Sequence, residues 1–180
     1  MDMVHWVKTM PAPEIDHSVY RPFIRNDWFR KNYMVFAYGL MAVLAVLCFV
    51  FRGERGIPVT LRLVSFVLVF LVHESLHILA VHSCRDIYLT HRGLYFWLQP
   101  DMEMSRGRFF LFMSLPLLAL TVLPALLSFF VSGPAAAWLK WIAWINAIIA
   151  GSDIINTVLI LLKPRGAKFY WGYCRIGNQD

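Results

Sequence analysis

Three ionisable residues lie within five positions of an apolar run, in the segment His73-Glu74-Ser75-Leu76-His77. Residues four apart stack on one face of a helix, so the rings of His73 and His77 are expected to point the same way. Two imidazoles at this spacing bind Zn²⁺, and the glutamate beside the first polarises a metal-bound water and accepts its proton. The pattern therefore predicts a hydrolytic zinc site with Glu74 as general base.

A catalytic zinc normally has three protein ligands, so the two histidines require a third. A later apolar segment, NAIIAGSDIIN, contains the carboxylate Asp153, seven residues after Asn146. This spacing places both residues within roughly 20° of one helical face. Gly151 removes a side chain next to Asp153, which would let this helix approach the second apolar run closely. We predict Asp153 as the third ligand. The alternatives are that it caps a helix or pairs with Arg62.

Three further polar residues lie near these segments. Asn146 and Asn156 are candidates for substrate binding or for orienting the metal ligands, and an interhelical hydrogen bond is the alternative for each. His82 follows His77 by five residues, about 140° around a helix. That angle points it away from the site, and we interpret it as a surface or substrate-facing histidine.

A non-catalytic interpretation of the motif has two histidines satisfied in a helical core, with Glu74 bridging helices. A charge inside a membrane helix costs at least about 2.5–3.5 kcal/mol, so packing alone explains three ionisable groups poorly. The alternative function is a non-enzymatic four-helix membrane protein: an inactive protease-like partner-binding protein, or one that binds a structural metal, haem or quinone. Two histidines on one helical turn suit haem poorly, because its axial ligands come from facing helices.

Long apolar runs must position these residues. The chain of 180 residues is 59% hydrophobic and only 16% charged, against roughly 25% charged in an average soluble domain. About 20 apolar residues in a helix cross a hydrocarbon core of about 30 Å. We therefore predict an all-α membrane protein with about four transmembrane helices, at 32–51, 59–82, 109–131 and 135–162.

Two of these spans carry irregularities. Pro116 and Pro124 should kink or interrupt the third. The fourth is longer than a membrane requires, so we expect it to be tilted or to begin in the interface.

The segments between the spans complete the organisation. A polar turn is predicted at 53–58. Alternating polar and aromatic residues around Gly93 predict a short β-hairpin or re-entrant segment between the second and third helices. The predicted divisions are a cytoplasmic or interfacial N-terminal segment (1–31), a four-helix transmembrane metalloprotease domain (32–163) and a cytoplasmic C-terminal tail (164–180). The first span is expected to be an uncleaved anchor.

Lysine and arginine predict the orientation. The N-terminal tail carries five, the 83–108 loop four and the C-terminal tail four, against four on the opposite side. The side with thirteen lysines and arginines, against four on the other, is predicted to be cytoplasmic, and it contains both termini and the long loop. The net charge of +6 comes from residues at the ends of apolar runs. This favours a lipid bilayer with anionic lipids, and no nucleic acid, as a partner. The three cysteines are expected to be free thiols, and the oligomeric state stays open.

The segments HESLH and NAIIAGSDIIN resemble the putative zincin peptidase family of small bacterial membrane proteins. More distantly, they resemble the site-2 proteases, which are intramembrane metalloproteases. The resemblance covers about residues 58–163. One departure is that site-2 proteases usually have an Asp-Gly pair, with prolines between the asparagine and the aspartate, where this chain has Ser152-Asp153-Ile154.

The resemblance implies a role for each matching residue: zinc ligands at His73, His77 and Asp153, the catalytic base at Glu74, and a substrate or ligand-orienting contact at Asn146. It implies a Zn²⁺ enzyme in a bacterial inner membrane that hydrolyses a membrane-protein or peptide substrate within or next to a membrane segment, near the cytoplasmic face. By analogy with site-2 proteases, an edge strand in the 83–108 loop would hold an extended substrate.

Overall fold

A computed structural model of the protein describes residues 3–51, 57–83, 86–92 and 95–177. Several features predicted from the sequence lie outside these residues. They are most of the polar turn at 53–58, the free thiol of Cys84, the positive charge of Arg85 and the centre of the predicted hairpin at Gly93.

Helices make up most of the described chain, and their lengths suit a membrane. In chain order they are α1 (Asp27–Phe51), α2 (Val59–Ala80), α3 (Arg106–Leu117), a π-helical turn (Leu118–Val122), α4 (Leu123–Leu127), α5 (Gly133–Ile149) and α6 (Gly151–Leu161). Among the helices that the structure describes, three can cross a membrane by length and composition: α1, α2 and the continuous stretch Arg106–Leu127. The pair α5–α6 makes a fourth if it is one broken span.

The outer surface of these helices is apolar. Phe129 and Phe130 are more than four-fifths exposed, and leucines and valines are exposed along α1 and α2. Soluble monomers rarely expose apolar patches of this extent, whereas lipid solvates them at no cost. The pattern therefore fits helices that pack on one another over narrow faces and contact hydrocarbon elsewhere.

The prediction of an all-α fold is wrong, because the described chain also forms two β-sheets. The first has the order β1 (Met3–Trp6), β3 (Asp86–Arg92), β4 (Tyr95–Pro100), with β1 and β3 parallel. The second has the order β2 (Arg21–Pro22), β7 (Tyr173–Ile176), β6 (Ala167–Tyr170), β5 (Met104–Ser105). Most of these strands have four residues or fewer, too short for alternation to be read from sequence.

The predicted hairpin between α2 and α3 is confirmed. Strands β3 and β4 pair antiparallel from Ile87 opposite Pro100 to Arg92 opposite Tyr95. A second hairpin, β6–β7, lies in the C-terminal segment and was not predicted. Its two-residue turn, Trp171-Gly172, has φ values of 45° and 77°, the positive pair that tight hairpin turns require.

The fourth apolar run is not one continuous helix. It breaks at Ala150, and α5 and α6 meet at a bend of 69°. The residues after the break, Gly151-Ser152-Asp153, have low helix propensity, which makes this the weakest place in the run. Asn146 therefore lies near the end of α5 and Asp153 in the first turn of α6, on two differently directed helices.

The third apolar run is distorted between its two prolines, as predicted. Pro116 lies inside α3, Pro124 near the start of α4, and the π-turn Leu118–Val122 separates them. Helix α3 packs against both α2 and α6, and α2 also packs against α5. The distorted run is thus the neighbour of both helices that carry the predicted ligands.

Candidate metal site

Three predicted ligands meet inside the helical bundle. The Nε2 atoms of His73 and His77 are 3.2 Å apart, and Oδ2 of Asp153 lies 3.1 Å from the first and 3.3 Å from the second. All three residues are more than nine-tenths buried. Within the part of the chain that the structure describes, they form the one group of three or more potential ligands close enough to share a metal ion.

The second nitrogen of each imidazole is bound to the protein. His77 Nδ1 lies 2.7 Å from the carbonyl oxygen of Phe112, and His73 Nδ1 lies 2.9 Å from Oδ1 of Asn146. A carbonyl only accepts hydrogen bonds, so Nδ1 of His77 must be the donor. This bond fixes the His77 tautomer and leaves the lone pair of its Nε2 pointing at the other two ligands.

Asn146 fixes His73 in the same way. Its Nδ2 donates to the carbonyl of Pro116 at 3.0 Å and to Oγ1 of Thr121 at 2.9 Å. Because the Pro116 carbonyl can only accept, this contact determines which end of the amide is nitrogen. Oδ1 therefore faces His73, whose Nδ1 must donate to it. Asn146, predicted either to contact substrate or to orient a ligand, is fully buried.

The resulting arrangement brings together three groups that can only accept. Two imidazole lone pairs and a carboxylate oxygen converge in a buried space, which is costly unless a cation lies between them. Three ligand atoms bound at about 2.0–2.1 Å to one tetrahedral zinc lie about 3.3 Å apart. The observed separations of 3.1–3.3 Å match this spacing. The donor set and its geometry fit Zn²⁺.

The helix break brings Asp153 to the histidines. Asp153 lies in the first turn of α6, where the helix dipole favours a negative charge. At the break, a Cβ on Gly151 would lie 2.5 Å from Cγ of Met41 and 3.4 Å from the Ala37 carbonyl oxygen, both in α1. The expectation that Gly151 permits close approach to the second span is therefore wrong, because its close neighbours belong to the first.

The remaining candidates lie in different places. Glu74 is partly buried on α2 and close enough to interact electrostatically with the three ligands. Asn156 donates from Nδ2 to the sulfur of Met113 at 3.8 Å, at the contact between α6 and α3. His82 is exposed beyond the end of α2, with Nδ1 3.0 Å from the Leu79 carbonyl oxygen. Arg62 has its guanidinium over the Trp141 ring, 5.3 Å from the centroid.

Sequence reasoning missed the contribution of the third span. The Phe112 carbonyl, the Pro116 carbonyl and the Thr121 hydroxyl hold the two histidines, directly or through Asn146. Two of these groups are backbone oxygens, which carry no residue signature. The available signal was Pro116 itself, because a proline in a helix leaves the carbonyl four residues earlier without its usual partner.

Comparison with protein families agrees with this geometry. A family model described as putative zincin peptidase matches residues 66–168, more than half of the chain. The chain belongs to this family. The match runs from within α2 to within β6, so it includes the helices that carry all three residues of the cluster. No curated protein and no solved structure matches the chain.

Membership in the zincin peptidase family implies Zn²⁺ as the cofactor, and His73, His77 and Asp153 form a possible site for it. It also supports a metallopeptidase, and the apolar helices support a membrane protein.

Proposed function

We propose that the protein is a membrane-embedded zinc endopeptidase that cleaves substrates within or next to membrane segments, near the cytoplasmic face. The zinc ligands are His73, His77 and Asp153, the general base is Glu74, and Asn146 orients His73. The observation that carries this proposal is the buried convergence of two imidazole lone pairs and one carboxylate oxygen within 3.3 Å.

The chemistry follows from the residue types. Zn²⁺ held by His73, His77 and Asp153 would supply Lewis acidity, which makes a water more acidic and a substrate carbonyl more electrophilic. Glu74 follows His73 by one position, about 100° around α2, so its carboxylate lies beside the ligands without being one of them. From there Glu74 accepts a proton from the attacking water and delivers it to the leaving amine nitrogen.

Strand pairing supports four spans with both termini on one side. The first sheet joins the N-terminal segment to the 83–108 loop, and the second joins the N-terminal segment, that loop and the C-terminal hairpin. Segments that share a sheet lie on the same side of a bilayer, so an even number of spans must separate them. Counting α5–α6 as one broken span gives four, and the arginine and lysine bias makes the shared side cytoplasmic.

The first sheet is the proposed substrate-binding element. Among the described strands, β4 pairs only with β3, so its outer edge can take an extended peptide. The sheet also contacts the site's supporting helix, since Ile87 of β3 and Phe112 of α3 belong to one buried cluster. This cluster links the sheet to α3, whose Phe112 carbonyl accepts from Nδ1 of His77.

The metal content of purified protein tests the ligand set. Wild type in detergent is expected to hold one zinc per chain, and Asp153→Ala is expected to hold much less, because two histidines alone leave the site incomplete. Inductively coupled plasma mass spectrometry measures both. A wild type without zinc, or an Asp153→Ala variant that holds as much zinc as wild type, would show the three-ligand site to be wrong.

Glu74→Gln separates chemistry from metal binding. The variant should retain zinc and lose cleavage, because the amide keeps the shape of the base without its proton affinity. Incubation with a detergent-solubilised bacterial membrane-protein mixture, followed by mass spectrometry of new N-termini, compares the two proteins. Cleavage by Glu74→Gln at the wild-type rate would remove Glu74 as the base.

A further inference from the structure

We infer that Pro116 is a positioning residue of the metal site: its missing N–H leaves the Phe112 carbonyl to His77, and its own carbonyl holds the Asn146 side chain that orients His73. This inference rests on the proposed zinc site and goes beyond it, because it assigns a role to a span that contributes no ligand.

The first acceptor is the carbonyl of Phe112. In a regular α-helix the N–H of residue 116 would donate to the carbonyl of residue 112. Proline has no N–H, so this carbonyl loses its intrahelical donor. The Phe112 oxygen instead accepts from Nδ1 of His77 at 2.7 Å, in a buried environment. The N–H of His77 thus takes the place of the backbone donor that Pro116 lacks.

The second acceptor is the carbonyl of Pro116 itself. It accepts from Nδ2 of Asn146 at 3.0 Å, while Oγ1 of Thr121 accepts from the same nitrogen at 2.9 Å. Thr121 lies in the π-turn that follows α3, where the helical phase shifts. These two acceptors hold the Nδ2 end of the Asn146 amide. Its Oδ1 then accepts from Nδ1 of His73, 2.9 Å away.

Both histidines are therefore oriented by one distorted stretch of the third span, from Phe112 to Thr121. Hydrogen bonds to the non-ligating nitrogen of a metal-bound histidine fix its tautomer and direction, and their removal typically lowers metal affinity 10- to 100-fold. The hydrogen bonds to the Phe112 and Pro116 carbonyls are themselves buried, so the loss of either leaves a buried polar group without its partner.

Substitution of Pro116 by alanine in the full chain tests the inference. Pro116→Ala restores an N–H that competes with His77 for the Phe112 carbonyl. The zinc affinity, measured by chelator competition in detergent, should fall 10- to 100-fold. The visible d–d spectrum of the Co²⁺-substituted protein should also change, since it reports ligand geometry directly.

Pro124→Ala is the matched control. It makes the same change eight residues later in the same run, where the carbonyl four residues earlier belongs to Leu120, which is not a partner of His73, His77 or Asn146. Its zinc affinity and Co²⁺ spectrum should equal those of wild type. Equal losses in Pro124→Ala and Pro116→Ala would mean that straightening the helix causes them, and the inference would be wrong.

Substitution of Thr121 tests the hydrogen bonds that hold Asn146, even if Pro116→Ala does not fold. Thr121→Val keeps the side-chain shape but removes the acceptor, so it should weaken zinc binding. Thr121→Ser keeps the hydroxyl and should bind zinc as tightly as wild type. Wild-type affinity and Co²⁺ spectra in both Pro116→Ala and Thr121→Val would overturn the inference while leaving the zinc site intact. Absence of zinc from the wild type would overturn both.

Discussion

His73 and His77 each use one ring nitrogen for the protein and leave the other for a cation. The Nδ1 atoms donate to Asn146 and to the Phe112 carbonyl, and the Nε2 atoms face Asp153. These bonds hold the rings in one orientation, because both rings are almost fully buried. A metal that enters such a site meets ligands whose directions are already set.

Gly151 provides a residue-scale prediction about the helix break. A methyl group there would lie 2.5 Å from Cγ of Met41, so Gly151→Ala must push the Met41 side chain or separate α1 from α6. We expect it to destabilise the fold by about 1–3 kcal/mol, as overpacking commonly does. Thermal unfolding in detergent measures the change.

Two further variants make this prediction specific. Met41→Ala in combination with Gly151→Ala should recover part of the lost stability, because it removes the clashing atoms. Gly39→Ala, in the middle of α1 with open space around its Cα, should not lower the unfolding temperature. A Gly151→Ala protein as stable as wild type would contradict the close approach.

At the scale of elements, two acidic residues between β4 and α3 tie the sheets together. Asp101 accepts from the Tyr170 hydroxyl at 2.9 Å and from Trp171 Nε1 at 3.0 Å. Glu103 accepts from the guanidinium of Arg175 and from the Tyr20 hydroxyl. The C-terminal hairpin and the N-terminal segment are thereby fixed to the start of the helix that supports the metal site.

The Glu103 contacts predict a pH dependence of stability. The hydrogen bond and charge of Arg175, with Tyr20 and Lys168, lower the pKa of Glu103 from its ordinary 4.5 to about 2. A carboxylate with a lowered folded-state pKa stabilises the fold above its unfolded pKa, and this contribution is lost as the pH falls from about 4.5 to about 2. Glu103→Gln should therefore lower stability near neutral pH, by on the order of 1 kcal/mol for so solvated a group.

Thermal unfolding of wild type and Glu103→Gln between pH 7 and pH 2 measures this effect. The difference in unfolding temperature between the two proteins should shrink as the pH falls toward 2. Asp27→Asn is the matched control, because Asp27 forms an exposed ion pair with Arg30, 2.7 Å apart, and its removal should cost little at any pH. A gap that is constant with pH would contradict the role of the Glu103 charge.

For the whole molecule, the strand pairings predict which segments share a side of the membrane. In a cysteine-free background, single cysteines at the exposed positions Glu14, His82 and Gly166 should react with a membrane-impermeant maleimide from one side. A cysteine at Ser132, in the exposed turn before α5, should react from the other. Labelling of intact cells and of inverted vesicles distinguishes the sides. Reaction of the Ser132→Cys variant from the same side as the other three would contradict four spans.

The sequence alone determined the apolar runs, the ligand candidates and the family. Apolar runs long enough to cross a bilayer can be recognised in the sequence, because their length is a local property of the chain. HESLH is visible for the same reason, since its two rings lie one turn apart on a single helix. Asp153 could be selected because a carboxylate is rare and costly inside a membrane helix.

Only the tertiary structure decided how these parts meet. Across the break at Ala150, α6 is bent by 69° from α5 and Gly151 lies close to α1, and the two sheets join segments more than 60 residues apart in sequence. Two of the acceptors that orient the histidines, directly or through Asn146, are the backbone oxygens of Phe112 and Pro116. Such groups exist in every residue, so their use at the metal site is settled by three-dimensional contacts and not by residue type.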